Sequence, residues 1–385
     1  MKIAIYYPWI HLTSGVERTI LEIVKRSDHE YTIFTNHYDK RGTHPEFNNL
    51  KIIQLVKVPV ERDLLSVLKA AIIITFQKID LNTFDLLLVH SDGLADLITF
   101  RNYKIPIVCY CHTPLRPVFD KLYRKEVLKK CNTISKTLFY FLSLAFKYLD
   151  RRLWRKYSYV LFNSRETLRR ARNGGLLREL KNKYCILNPG VDLKKTKPGK
   201  NFRKYFLVPG RIMWTKNIQL AIEGFVLFKR NIKYKDFRLV IAGQVDQKSK
   251  SYLSHLKDAV NKRSDIKFID SPEEKLLNKL YAGCWATLHT AFNEDFGLTL
   301  LESNAYGKPV IAVNSGGYMD SQINKKTGLL VPSYPRYVAD SLALLADKKE
   351  LTMSMGAFAR KNVRKYDWQN FINVYKKKLL QFEIV

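Results

Sequence analysis

The sequence predicts an α/β protein built as two doubly wound, Rossmann-like domains facing a cleft. Three observations predict it. Short apolar runs rich in β-branched residues alternate with amphipathic stretches of helical period, the pattern of parallel sheets covered on both faces. The alternation stops at a Pro-, Gly- and Lys-rich segment, Asn188–Lys204, and then restarts. The chain has 385 residues, more than one core ordinarily serves, and 46% are apolar, enough to fill two. In such sheets ligands sit at the carboxyl ends of strands, and between two such domains the cleft is the default site.

Taken in order, "KIAIYYP" reads as a buried strand and "GVERTILEIVKRS" as the helix after it. "YTIFTN", "LKIIQLV", "DLLLVHS" and "IPIVCYCH" are further short strands. "YVLFNSRETLRRAR" is a strand entering a helix, with Asn163 as its expected N-cap and Glu166 at the capping-box position. Beyond the linker come "YFLVPGR", helix "NIQLAIEGFVLFKR", "FRLVIAG", helix "SYLSHLKDAVNKR", "IKFID", helix "EEKLLNKLYAGC", "ATLHTA", helix "LTLLESNAYG", "PVIAVNSGG" and "TGLLVP". The expected division is 1–190 for the first domain and 191–365 for the second, with a C-terminal helix in 366–385 rejoining the first.

The net charge of +31, from 66 basic and 35 acidic residues, favours polyanions: nucleic acid, anionic lipid or phosphorylated substrates. Five scattered cysteines fit free thiols in a reducing compartment. Cys109 and Cys111 share one face of a strand and read as small buried side chains rather than half of a metal site. The N-terminus does not read as a signal peptide, and no run reaches the roughly 20 apolar residues of a membrane span. Basic residues crowd Arg116 to Lys204, interleaved with Phe139, Tyr140, Phe141, Phe146, Tyr148, Trp154 and Tyr157. That composition suits an anionic membrane surface, and equally a solvated basic face over ordinary core aromatics.

The chemistry concentrates in "TLHTAFNEDFG" followed by "LTLLESNAYG", a strand, a loop and a helix start. Backbone N–H groups at such a start carry roughly half a positive charge and hold phosphate. Glu302 lies in the helix among Leu300, Leu301 and Ala305. An ionised carboxylate accepts from two donors, so a pair of sugar hydroxyls suits it. Glu294, in the loop, can serve a second sugar in the same way. Spacing alone also admits a solvated helix glutamate and a loop glutamate.

The whole phrase, "EDFGLTLLE" with "AYGKPVIA" and "GG" behind it, resembles the donor-site motif of retaining glycosyltransferases of family 4, which have the GT-B fold. Seven residues stand between its two glutamates, as between Glu294 and Glu302. The resemblance implies that Glu302 binds the ribose hydroxyls of a nucleoside-diphosphate sugar and Glu294 the hydroxyls of the transferred sugar. The backbone of Phe296, Gly297, Leu298 and Thr299 would then face the sugar and distal phosphate. In "VPGRIMWTKN", Gly210 and Arg211 end a strand and Lys216 precedes a helix. A departing diphosphate builds up negative charge, and an Arg–Lys pair there stabilises the transition state more than the ground state. The family's matching residues bind the diphosphate.

In "YCHTPLRPVFD", the resemblance puts His112 beside the reacting sugar and resembles members acting on mannose donors. Arg116 and Asp120 are acceptor-side candidates. In "TSGVERTILEI", Gly15 remains where the family usually has two glycines and Ser14 stands for the other. Arg18 belongs to a "GxER" phrase seen in mannosyltransferases, or to an ordinary helix-surface pair.

No Asp-x-Asp occurs, so no metal is expected at the diphosphate and no cofactor is implied. The resemblance implies transfer of a hexose, mannose from GDP-mannose favoured, to a hydroxyl acceptor, a lipid-linked glycan, with 1–190 as the acceptor-side domain and 191–365 as the donor domain. The enzyme would be cytoplasmic and peripheral to a membrane. An epimerase or phosphorylase using a similar cleft is the alternative. A nucleic-acid-binding protein rests on charge alone, with no recognition motif.

Overall fold

The computed structural model describes residues 1–382 other than 62, 130, 200, 246, 261 and 262. The chain divides into two compact units, Met1–Pro189 with Trp368–Val385, and Gly190–Asp367.

The strands of the first unit are β1 (Lys2–Tyr6), β2 (Trp9–Ile10), β3 (Glu30–Thr35), β4 (His37–Tyr38), β5 (Ile52–Gln54), β6 (Leu86–Ser91), β7 (Ile107–Cys111), β8 (Tyr159–Phe162) and β9 (Tyr184–Ile186). Seven form one parallel sheet in the order β5-β3-β1-β6-β7-β8-β9, while β2 and β4 pair separately. Its helices are α1 (Gly15–Arg26), α2 (Leu64–Phe76), α3 (Arg116–Phe119), α4 (Lys121–Leu128), α5 (Thr133–Trp154) and α6 (Arg165–Gly174). Alternation along β1 fills two cores. Ala4 and Tyr6 pack on one face with Leu87, Val89, Cys109, Cys111 and Trp154. Ile3 and Ile5 pack on the other. There the C-terminal helix (Trp368–Leu379) buries Trp368, Phe371, Ile372, Tyr375 and Leu379. Each such side chain removed from water contributes about 1.5–3 kcal/mol, which keeps the end of the chain on the first unit.

The helix after β8 differs from expectation at its start. Ser164, not Asn163, is the N-cap: its hydroxyl accepts from Thr167 N, and the Thr167 hydroxyl reaches back to Ser164 N. Asn163 instead donates to the His112 carbonyl at 2.8 Å, and Glu166 pairs with Arg169 and Arg170. A serine and an asparagine cap equally well, so the tertiary partner decides between adjacent candidates.

The second unit holds β10 (Tyr205–Pro209), β11 (Arg238–Gly243), β12 (Ile266–Asp270), β13 (Ala286–His289), β14 (Val310–Val313) and β15 (Gly328–Val331). They form a parallel sheet in the order β12-β11-β10-β13-β14-β15. Helices α7 (Ile218–Phe228), α8 (Lys250–Ala259), α9 (Glu274–Gly283), α10 (Leu298–Ala305), α11 (Tyr318–Ser321), α12 (Pro335–Asp347) and α13 (Lys349–Asn362) accompany them. An aromatic cluster of Phe206, Phe225, Phe228, Phe237 and Trp285 anchors one core.

The Pro-Gly-Lys segment is held along this unit rather than left loose. Val191 bridges to Asp367. Arg360 donates to the Thr196 hydroxyl at 2.8 Å, and the buried Lys308 ammonium donates to Asn201 O at 2.9 Å and Gly199 O at 3.3 Å. Lys308 also lies over the Phe202 ring, and burial lowers its pKa to about 8.

Candidate functional site

The order of each sheet reverses at one point: between β1 and β6 in the first unit, and between β10 and β13 in the second. Loops leaving the carboxyl ends of strands diverge at such a point and open a crevice. In the second unit those two loops carry Gly210, Arg211 and Lys216 after β10, and Glu294 after β13. The two motifs, far apart in sequence, meet there. Lys216 Nζ lies 2.7 Å from Glu294 Oε2, with both side chains half-buried.

Backbone contacts hold the pair in place. The Thr290 hydroxyl donates to the carbonyls of Lys216 and Asn217 at 3.1 and 2.9 Å, and Phe292 N donates to Thr215 O at 2.9 Å. From the other side Gly316 and Gly317 press on the Glu294 loop. A Cβ on Gly316 would stand 2.5 Å from Glu294 O, and one on Gly317 2.4 Å from Phe296 Cα. Gly316 also has φ +63°, so the "GG" phrase answers a backbone requirement. Gly317 N donates to Glu294 O at 2.7 Å. The buried Tyr318, first residue of α11, acts on the same loop: burial first, and Glu294 second, hold its hydroxyl pKa well above the usual phenol range.

Helix α10 opens at Gly297, whose φ is +95° and which supplies no side-chain cap. Phe296, just before it, is buried against Tyr366. Thr299, in the first turn, faces Gly210: a Cβ on that glycine would lie 3.4 Å from Thr299 Cγ2. Leu298 and Thr299 are half-buried at the helix start. Behind them the buried His289 has Nδ1 3.4 Å from the Thr299 hydroxyl and Nε2 3.1 Å from that of Thr287. Burial, with Lys216 adding to it, drives the His289 pKa down to about 3, so its ring is neutral. Glu302, one turn further along α10, is half-buried and accepts from the Tyr281 hydroxyl at 2.9 Å.

This arrangement can bind a polyanion flanked by hydroxyl groups. Two cations, Arg211 and Lys216, and the first turn of α10 provide positive potential, while two carboxylates provide acceptors. Among the described residues no group of three or more His, Cys, Asp or Glu could hold a metal ion.

The first unit has its own polar cluster at the carboxyl end of its sheet. His112, which follows β7, is nearly buried, and its Nε2 lies 3.0 Å from His90 Nδ1, with the rings stacked. Burial, then His112, keeps the His90 pKa well below the usual imidazole value. One ring of the pair therefore donates and the other accepts. Gly15 begins α1 behind the N-cap Ser14, which also bonds Glu17. Arg18 lies 3.7 Å from Glu22, one turn on. Asp120 caps α4 by accepting from Leu122 N and Tyr123 N, and it pairs with Arg116 at 3.1 Å and Arg170 at 3.6 Å. Arg116 and Asp120 thus build local structure as an ion pair across the α3–α4 corner.

His90, Tyr281, His289 and Tyr318 were not singled out from sequence. Each touches a motif residue only through the fold, and none carries a spacing signal.

Two family models match the chain side by side: glycosyltransferase family 4 over residues 13–195, and glycosyl transferases group 1 over residues 192–362. An alpha-1,3/1,6-mannosyltransferase, ALG2, of Dictyostelium discoideum is 25% identical over 437 aligned positions, covering 98% of each chain. A D-inositol 3-phosphate glycosyltransferase of Corynebacterium glutamicum is 28% identical over 204 positions, covering 48% of this chain and 49% of that one. Among solved structures, HepE of Anabaena in complex with UDP superposes with a TM-score of 0.76 at 15% identity, over 99% of this chain and 100% of that one. With both halves matched in order and two Rossmann-like parallel sheets, the chain belongs to the family 4 glycosyltransferases of the GT-B fold.

Proposed function

We propose that the protein is a retaining, metal-independent hexosyltransferase whose second unit binds a nucleoside-diphosphate sugar. The observation that carries this reading is the Lys216–Glu294 pair at 2.7 Å, beside the start of α10. It supports one continuous binding surface made from both motifs. Glu302 takes the ribose hydroxyls, the first turn of α10 and Lys216 with Arg211 take the diphosphate, and Glu294 takes the sugar. In the free protein the Glu294 carboxylate neutralises Lys216. The incoming diphosphate replaces it at Lys216, so donor binding releases Glu294 to accept hydrogen bonds from the sugar hydroxyls.

The reaction we assign to that surface is the one the family resemblance implies. The bond between the anomeric carbon and the diphosphate oxygen breaks as the acceptor hydroxyl attacks from the same face. The acceptor proton passes to the departing diphosphate, and the configuration is retained. Arg211 and Lys216 meet the growing negative charge on the leaving group, which is why no metal is assigned there. His112 is assigned to position and polarise the reacting sugar.

Mannose on GDP is the donor we assign. The His-Thr-Pro phrase supports it, as do relatives named as mannosyltransferases. The acceptor we assign is a lipid-linked glycan, reached from the cytoplasmic face of a membrane by electrostatic attachment. The basic, aromatic stretch around α5 supports this.

Replacing Arg211 or Lys216 by alanine is expected to lower turnover by roughly 10²–10³, the usual effect of removing one charge-stabilising donor. Turnover of each folded variant is measured after the donor is identified by calorimetric titration with GDP-, UDP- and ADP-sugars. Near-normal turnover in both variants, with unchanged circular dichroism, overturns the diphosphate assignment.

A further inference from the structure

We propose that Tyr281 is the positioning residue of the donor site, holding the Glu302 carboxylate in the orientation that receives a ribose. The proposal rests on the ribose assignment of Glu302 and goes beyond it.

Glu302 stands on the second turn of α10, a short helix whose neighbours Leu300, Leu301 and Ala305 are all buried. A glutamate has three side-chain torsions, and a half-buried one at a site edge samples several rotamers unless something selects one. Tyr281 makes that selection. Tyr281 is 2% exposed, and its hydroxyl donates to Glu302 Oε2 at 2.9 Å. A bond to an ionised acceptor is among the stronger kind.

The tyrosine cannot easily follow a moving carboxylate. Its ring lies flat on that of Tyr306, with centroids 5.3 Å apart and planes 3° from parallel. The Tyr306 hydroxyl in turn donates to Asn278 Oδ1 at 2.7 Å. Tyr281 and Asn278 both belong to α9, and Tyr306 follows the end of α10. Two tyrosines thus tie the donor helix to its neighbour, and the carboxylate hangs from that brace. Burial first, and Glu302 second, keep the Tyr281 hydroxyl protonated, so it remains a donor across the working pH range.

A sugar hydroxyl meeting a prealigned carboxylate loses less conformational entropy on binding than one that must order it first. The effect belongs to nucleotide binding and not to bond breaking.

The test compares Tyr281→Phe, which keeps the ring stack and removes only the hydroxyl, with Glu302→Gln and the double variant. Calorimetry with GDP, UDP and ADP, and with the 2′-deoxy and 3′-deoxy forms of whichever binds, supplies the readout, alongside steady-state kinetics. Tyr281→Phe is expected to weaken nucleoside-diphosphate binding about 5- to 10-fold and to raise the donor KM by a similar factor, with kcat within twofold. It is expected to shrink the penalty that the parent shows for a deoxyribose. In the double variant the loss should fall short of the product of the single losses, since both act through one carboxylate.

If Glu302→Gln weakens binding and Tyr281→Phe does not, the positioning role is overturned and the ribose assignment stands. Multiplicative losses, or an unchanged deoxyribose penalty in Tyr281→Phe, also overturn it. If the parent binds ribose and deoxyribose forms alike and Glu302→Gln binds as tightly as the parent, the ribose assignment itself fails.

Discussion

At the scale of single residues, His289, behind the first turn of α10, bears on acid stability. Its imidazole is 3% exposed, and its pKa falls from 6.5 to about 3. Between those values the unfolded chain takes up a proton that the folded chain refuses. The stability contributed by keeping this ring neutral is complete above pH 6.5 and is lost as pH falls towards 3. A proton bound only by the unfolded state costs about 1.4 kcal/mol per pH unit once fully engaged. His289→Asn, which does not titrate, is expected to show a shallower fall of Tm between pH 6.5 and 4.5 than the parent. Scanning calorimetry at several pH values checks it, and equal slopes contradict it. The expected pattern arises from burial under the first turn of α10, which no sequence spacing announces.

At the scale of elements, α5 carries a buried cost. Asp150, in its last turns, is fully buried and interacts with the equally buried Asp96, which follows β6. Burial, opposed in part by hydrogen bonds from Tyr157 and Trp154, pushes Asp96 up to about 6. Burial, with Asp96 adding to it, pushes Asp150 well above the ordinary carboxyl range. A carboxyl raised in the folded state contributes stability below its unfolded value of 3.8 that is lost as pH rises through the folded value. Asp150→Asn removes one of the two repelling groups and offers an amide donor to the other. It is expected to stabilise the protein by about 1–3 kcal/mol at pH 8, and by less at pH 4. Urea unfolding at the two pH values measures this, and a loss of stability at pH 8 contradicts it. The same helix was legible in sequence as a basic, aromatic stretch, but its division into faces was not. Arg151 donates to Gly174 O, and Lys156, just beyond the helix, donates to Thr99 O and Phe100 O. Those two cations hold the fold, whereas Arg152 stacks on Tyr148 at the surface.

At the scale of the whole molecule, the charge of +31 and the outer face of α5 bear on where the enzyme works. Ile134, Leu138, Phe141 and Tyr148 recur at helical spacing and are exposed, Ile134 by 80% and Phe141 by 62%. No helix among the described residues is long and apolar enough to cross a membrane. The proposed attachment would lay this face in a headgroup layer, with roughly 1 kcal/mol added per basic residue near an anionic surface. Binding to phosphatidylserine vesicles is therefore expected at low salt and expected to fall as ionic strength rises, since screening acts within about 8–10 Å. Ile134→Ser with Phe141→Ser is expected to weaken vesicle binding about tenfold or more while leaving donor binding in the second unit unchanged. Flotation of parent and variant with anionic and neutral vesicles decides it. A parent that ignores anionic vesicles at low salt removes the membrane from the proposed function.

Alternation of apolar runs with amphipathic stretches, read from the sequence alone, determined the α/β class, because strand and helix periods are local properties of the chain. The phrase from Asn293 to Gly317 likewise carried the family, because a loop feeding a helix start needs its glycines and carboxylates in fixed order. What only the tertiary structure decided was which side chains meet. Lys216 and Glu294 touch because β10 and β13 are neighbours across the point where the sheet order reverses. Ser164 rather than Asn163 caps α6 because Asn163 has the His112 carbonyl to bond. Gly316 must be a glycine because the backbone of Glu294 lies against it. Tyr281 acquires a partner 21 positions away only when α9 packs beside α10. These contacts depend on distances across a sheet or between helices, and linear spacing does not encode those distances.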